Sequence, residues 1–182
     1  MLRRCIHLLL SLFVLAGITQ RSMAEGQGNL LENEDLAVLC SAMYEYQLDL
    51  PGFDANLLET KRHLMNQHML NIPNNEHNGD KEYFAAKVSK VKASLGSLPA
   101  EQKAELEYEG WTRSGNPCDQ ISAMTFILNT AESVKKGDGM SRDEAHIIMK
   151  KIYPWEDRYS GILDQGLDVQ YEKAMGDRSG KN

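Results

Sequence analysis

What this sequence does without narrows its function before any motif is sought. No stretch sustains the period-two alternation of β-branched residues that a half-buried strand needs, so a sheet is not expected. Neither form of glycine-rich phosphate loop occurs, and there is no Gly-x-Ser-x-Gly turn. Those absences exclude the nucleotide sites built on such loops and the serine-hydrolase elbow. Basic residues are in short supply too: Lys and Arg number 20 against 26 Asp and Glu, for a net charge of −6. A chain without a basic stripe lacks the electrostatic footprint for nucleic-acid phosphates, and the same holds for anionic lipid surfaces.

Long apolar runs are limited to one. Arg3 and Arg4 precede an apolar core from Leu8 to Gly17, and polar residues then lead to Ser22-Met23-Ala24. This order of charge, apolar core and small-x-small site is that of a cleavable secretory signal over residues 1–24. The core is about half the roughly 20 residues that a bilayer-spanning helix requires, so no stable membrane anchor is expected. Cleavage would remove Arg3, Arg4 and Arg21, leaving 17 basic against 26 acidic residues and a net of −9 on 158 of the 182 residues. That length suits one domain with a real core. The expected localisation is periplasmic or secreted.

Cys5 would leave with the leader, and Cys40 and Cys118 remain. An even pair in an exported chain reads as a disulfide, with two separate buried thiols as the alternative. Closing a loop from 40 to 118 would stabilise the fold by roughly 4–5 kcal/mol in the chain-entropy model.

Between a flexible lead over 25–32 and a disordered tail over 176–182, residues 33–175 read as a single helical domain. Asn33 caps a helix with Glu34 and Asp35 in its first turn, and Leu36, Leu39, Cys40 and Met43 recur at helical spacing until Pro51-Gly52. A second helix from about Asp54 carries Leu57, Leu58, Leu64, Met65, Met69 and Ile72, and ends before Pro73. Phe84, Val88, Val91 and Leu95 mark a third, closed by Gly96. Pro99 opens a short one to about Glu109. Asn116-Pro117 starts the next, with Ile121, Met124, Leu128 and Ala131 inward until Gly137. Ser141 and Glu144 form a capping box, and Ala145, Ile148, Met149 and Ile152 follow. The last helix, from about Trp155 to Met175, would bury Tyr159, Ile162, Leu163, Val169 and Tyr171. The expected fold is all-α: a compact bundle of about six or seven helices, closed by one disulfide, with short connections that favour antiparallel neighbours.

Candidate chemistry is sparse. His63 and His68 are five positions apart and do not share a helix face well, so no metal site is expected. The loop 74–80 has the alternating oxygens of a calcium loop, but with Gly79 at the sixth position the twelfth is Ala85, not the closing glutamate. Glu132-Ser133 is similar to the glutamate–serine start of lytic transglycosylase motifs, without their downstream glycine- and glutamine-containing segment. Leu98-Pro99-Ala100-Glu101-Gln102 resembles the Leu-Thr-x-x-Gln motif of small helical periplasmic chaperones. It has proline for threonine and a single copy, and a proline-opened helix produces the same letters.

The remaining candidate surface is Gly110 to Asn116, with Trp111, Arg113 and Asn116 as binding residues beside Cys118. Trp and Arg are enriched at interface hot spots, and a restrained loop loses less entropy on binding. The plain alternative is that Trp111 packs over the edge of the core. The expected function is a non-catalytic exported protein that binds a protein partner in the envelope or extracellular space, such as an inhibitor, immunity protein or envelope accessory factor. No cofactor is called for. Two alternatives remain: a small wall or glycan hydrolase using a carboxylate pair, which needs two converging acids, and a chaperone or stress scaffold, which needs an exposed apolar concavity.

Overall fold

The computed structural model of the chain describes residues 27–106, 116–153 and 158–179. Among them a short 3-10 helix, Gln27–Glu32, precedes seven α-helices and there is no strand. We number the helices α1 (Glu34–Leu48), α2 (Ala55–Met69), α3 (Lys81–Gly96), α4 (Ala100–Leu106), α5 (Pro117–Lys136), α6 (Arg142–Ile152) and α7 (Arg158–Ser179). The all-helical expectation holds. The last helix runs three residues beyond Gly176, and part of the expected lead carries the 3-10 helix.

Local chemistry sets most helix starts. The side chains of Asn33, Asp54, Asp80 and Asn116 each accept a hydrogen bond from the backbone N–H three residues on. Ser141 and Glu144 form the full reciprocal capping box. Each such cap stabilises its helix by about 1 kcal/mol by satisfying a donor that the helix itself leaves open. Gly137 ends α5 at φ 89°, a left-handed conformation that glycine adopts at little steric cost.

Two helices act as spines. α1 is buried on most of its circumference, from Leu36, Ala37 and Val38 through Cys40, Ser41 and Ala42 to Tyr44 and Gln47, and α2 and α3 pack around it. α5 is buried nearly as widely and receives α2 on one side and α7 on another. The core is correspondingly double. One cluster joins α1, α2 and α3 through residues such as Val38, Met65, Ile72, Phe84 and Val88. A second joins α5, α6 and α7 through Phe126, Ile127, Met149, Ile152 and Leu167. α2 serves both, because Met65 faces the first and Leu64 the second. The Cys40–Cys118 disulfide links the spines directly, with Cα atoms 5.2 Å apart. As expected, Cys40 sits mid-helix and Cys118 in the first turn of its helix.

Three apolar side chains expected inside lie outside: Leu128 (48% exposed), Ile148 (36%) and Val169 (61%). The reason is the width of the buried stripe. α6 buries Ala145, Met149 and Ile152, a narrow row at helical spacing that leaves Ile148 beside it. On α7 the buried positions Leu163, Leu167 and Ala174 define one line, and Val169 stands about 160° from Leu167 around the helix. Toward its end α5 buries only Ile127, Thr130, Ala131 and Val134, and Leu128 falls outside that row.

Candidate functional site

The carboxy-terminal part of α1, the start of α2 and the start of α5 enclose a recess of about 170 Å³. Met43, Leu57 and Leu58 supply apolar wall, and Phe53, 38% exposed, stands at the same opening. The opposite wall is polar and is built around Asp119, which is only 5% exposed.

Asp119 lies in the first turn of α5, where the helix dipole favours negative charge. Lys61, reaching across from α2, donates to both carboxylate oxygens at 3.0 and 2.9 Å. The Tyr44 hydroxyl, from α1, donates to Oδ1 at 2.8 Å. One carboxylate thus ties three helices together. Behind it the Tyr153 hydroxyl donates to Ser122 Oγ at 2.7 Å, and Lys61 Nζ sits 5.2 Å from the centre of the Tyr153 ring. Burial raises the Tyr44 pKa well above the ordinary phenol value, and the neighbouring Asp119 carboxylate raises it further. Burial does the same to Tyr153. Both phenols therefore remain protonated donors at any physiological pH.

A group available for chemistry is hard to find on this wall. Oδ1 of Asp119 accepts from Tyr44 and Lys61, and Oδ2 accepts from Lys61, so three hydrogen bonds already hold this carboxylate. Asp54, the second acid at the recess, uses its side chain to cap α2 at Leu57 N, 3.2 Å away. The disulfide is equally unreactive by position. Cys118 lines the recess, but an incoming thiolate striking it would expel Cys40, which is 0% exposed within the core and a poor leaving group there. Attack on Cys40 would release the better leaving group at the helix start, but Cys40 cannot be reached.

Of the expected binding residues, Asn116 lines this recess. It is 6% exposed, and its side-chain oxygen caps α5 by accepting from Asp119 N at 2.9 Å. Trp111 and Arg113 lie outside the described residues. Sequence reasoning misses Tyr44, Lys61 and Asp119. The only sequence signal for them is an acid next to a cysteine in a helix start, which also describes an ordinary solvated cap.

Two further polar clusters lie away from the recess. At the start of α1, Glu34 accepts from Asn75 at 2.5 Å, from the Tyr83 hydroxyl at 2.8 Å and from Lys87. Partial burial pushes the Glu34 pKa up, but these donors outweigh it and hold the carboxyl at about 2. On α6, His146 meets Asp164 through Nδ1 at 3.0 Å and Asp168 through Nε2 at 2.8 Å. Its two nitrogens point to opposite carboxylates and do not converge on a shared point. Among the described residues no group of three or more His, Cys, Asp or Glu side chains is placed to hold a metal ion. Nor is any described helix long and apolar enough to cross a membrane.

The chain matches no protein-family model, no curated protein and no solved structure. The functional reading therefore rests on the geometry of the recess.

Proposed function

We propose that the protein is an exported, non-catalytic binding protein that takes one large apolar side chain of a partner protein into the recess between α1, α2 and α5. The observation that carries this reading is the pairing of an open apolar wall with a polar wall whose groups are already bonded to one another. Such a site offers contact area and few reactive groups. A volume near 170 Å³ matches one side chain, since an apolar cavity of about 150 Å³ accommodates a benzene ring. Buried anchors of this kind carry most of the energy in protein interfaces. The disulfide at the base of the recess holds its walls in place before binding, which lowers the entropic cost.

Export is supported by the leader-like residues 1–24 and by the buried disulfide, which persists in an oxidising compartment. The partner is a protein of the envelope or extracellular space, for which an inhibitor, an immunity protein or an accessory factor would each suffice. A nucleic-acid partner is disfavoured by the acidic net charge.

A second reading arises because Asp54 and Asp119 both border the recess. A glycan hydrolase would need one of them to give up a proton, yet Asp119 accepts hydrogen bonds from Tyr44 and Lys61 and Oδ1 of Asp54 caps α2. Retained hydrolysis of wall glycans by wild-type protein, lost in Asp119→Asn, would favour it. A chaperone needs several hundred Å² of apolar concavity, far more than this recess provides.

The binding reading is tested with immobilised protein and envelope extract from the native host. Wild type should retain a specific protein that Leu57→Glu, which places a charge in the recess, does not. Retention of the same protein by both forms, or of none by either, would overturn it. A Trp111→Ala, Arg113→Ala variant then measures the share of the adjoining loop.

A further inference from the structure

α6 is attached to the rest of the molecule in an unusual way. Its apolar row, Ala145, Met149 and Ile152, is short, and Ile147 next to it is 68% exposed. Charge makes up the difference. Arg142, His146 and Lys150 recur every four residues along one side of α6, and Asp164 and Asp168 are one turn apart on α7. Arg142 Nε lies 3.8 Å from Asp168, and Lys150 Nζ lies 3.8 Å from Asp164. Between these two loose pairs, His146 makes two short contacts, one to each carboxylate.

Those two contacts have a stoichiometric requirement. A neutral imidazole carries one N–H and one lone pair, so it can donate to only one carboxylate. The other nitrogen would then turn its lone pair toward a negative oxygen. Only the imidazolium, with a proton on each nitrogen, satisfies both sides. No hydrogen bond or ion pair reaches the ring from α2 or α5, the other helices packed on α6, among the described residues. Asp164 and Asp168, with Arg142 and Lys150 behind them, are therefore the charged groups that decide its state.

We propose that His146 is the pin of a proton-operated latch, which holds the first turns of α6 on α7 while both ring nitrogens are protonated and loosens them when one proton leaves. The far end of α6 has its own attachment, because Tyr153 donates to the buried Ser122. Release is therefore local to the helix start and does not unfold the chain. An exported protein experiences the pH of its surroundings directly, which gives such a latch an input, but the inference stands apart from the binding reading and its test involves no partner.

The direction of response follows from the ring's surroundings. Burial lowers the His146 pKa, but the bonds to Asp168 and Asp164 outweigh burial and the net shift is upward. A raised pKa means that the clamp is fully present below the ordinary value of 6.5 and is lost as pH climbs through the higher folded value.

Amide hydrogen exchange on the folded, disulfide-bonded chain reads this directly, with rates corrected at each pH for intrinsic exchange. Protection of the first-turn α6 amides should decline as pH rises from below 6.5, and the decline should disappear in His146→Gln. Asp168→Asn, an exposed substitution that keeps the side-chain shape, should move the decline to lower pH. Protection of these amides that stays level with pH in wild type, or that declines equally in His146→Gln, would overturn the proposal. Should His146→Gln fail to fold, a nuclear magnetic resonance titration of the wild-type chain decides the matter: His146 must titrate above the ordinary histidine value of 6.5, and the idea is lost if it titrates at or below it.

Discussion

The two halves of this molecule are held together by different means. Around α1 the chain relies on burial: Ala37, Cys40 and Ala42 are 0% exposed, and the helix is apolar on nearly every side. Around α6 and α7 the buried rows are narrow, large apolar residues such as Ile147 and Val169 face outward, and ion pairs supply much of the contact. A surface ion pair contributes at most about 1 kcal/mol, whereas a fully buried large apolar side chain contributes about 1.5–3 kcal/mol. The amino-terminal half should therefore be the stable one and the carboxy-terminal pair the adjustable one. The disulfide and the Lys61–Asp119–Tyr44 network are where the two meet.

The largest effect should come from cutting the covalent link. Replacing Cys40 and Cys118 by alanine should cost about 4–5 kcal/mol in urea unfolding, and should split one transition into two as the halves uncouple. A single transition with an unchanged midpoint would show that the halves are one cooperative unit without the bridge. Next in size is Asp119→Ala, which strands the Lys61 ammonium in a site where its side chain is only 12% exposed. The expected loss is about 3–5 kcal/mol, most of it recovered in the double variant Lys61→Met, Asp119→Leu, because a buried pair costs little to replace with apolar groups. If the double variant is as unstable as the single one, the network is holding the helices by shape and not by charge balance.

The histidines sharpen the contrast because their signs are opposite. His68, 7% exposed on α2, has no hydrogen-bond partner at Nε2 among the described residues, and burial lowers its pKa to about 4. A lowered histidine pKa means the unfolded chain binds the proton first, so stability falls as pH drops below 6.5 and continues to fall until about 4. The loss should reach about 3 kcal/mol at the lower limit, and His68→Leu should abolish it. Acid therefore weakens the amino-terminal half through His68 while it fastens α6 through His146. A pH series of unfolding curves in which His68→Leu retains the full acid loss would remove half of this contrast.

Much of the fold could be read from local chemistry. Asn33, Asn116 and the Ser141–Glu144 box announce helix starts that the structure reproduces, since a cap depends only on residues within one turn. The disulfide was legible because an even pair of cysteines behind a leader-like segment has few other uses. Stripe width was not legible: Leu128, Ile148 and Val169 are apolar at helical spacing, and only the number of neighbouring helices decides whether such positions are covered. The recess was visible only in part. Asn116 stands out in the sequence for its place beside Cys118, but Lys61 and Tyr44 stand 58 and 75 positions from Asp119. Nothing in the local sequence of a helical lysine tells whether a carboxylate awaits it across the core.

The smallest effect tests the comparison most sharply, since it applies one kind of change to both halves. Ser141→Ala and Asn33→Ala each remove a helix cap, and each should cost about 1 kcal/mol. The two losses should differ in how they appear. α1 cannot open without exposing the Cys40 core, so the Asn33 variant should lose protection only through global unfolding, with every α1 amide affected alike. α6 buries a narrow row and is pinned by charge, so the Ser141 variant should exchange faster in its first turns while α1 keeps its wild-type rates. Equal, chain-wide acceleration in both variants would mean that α6 is as firmly built in as α1, and that the clamp around His146 decorates a helix already fixed by packing.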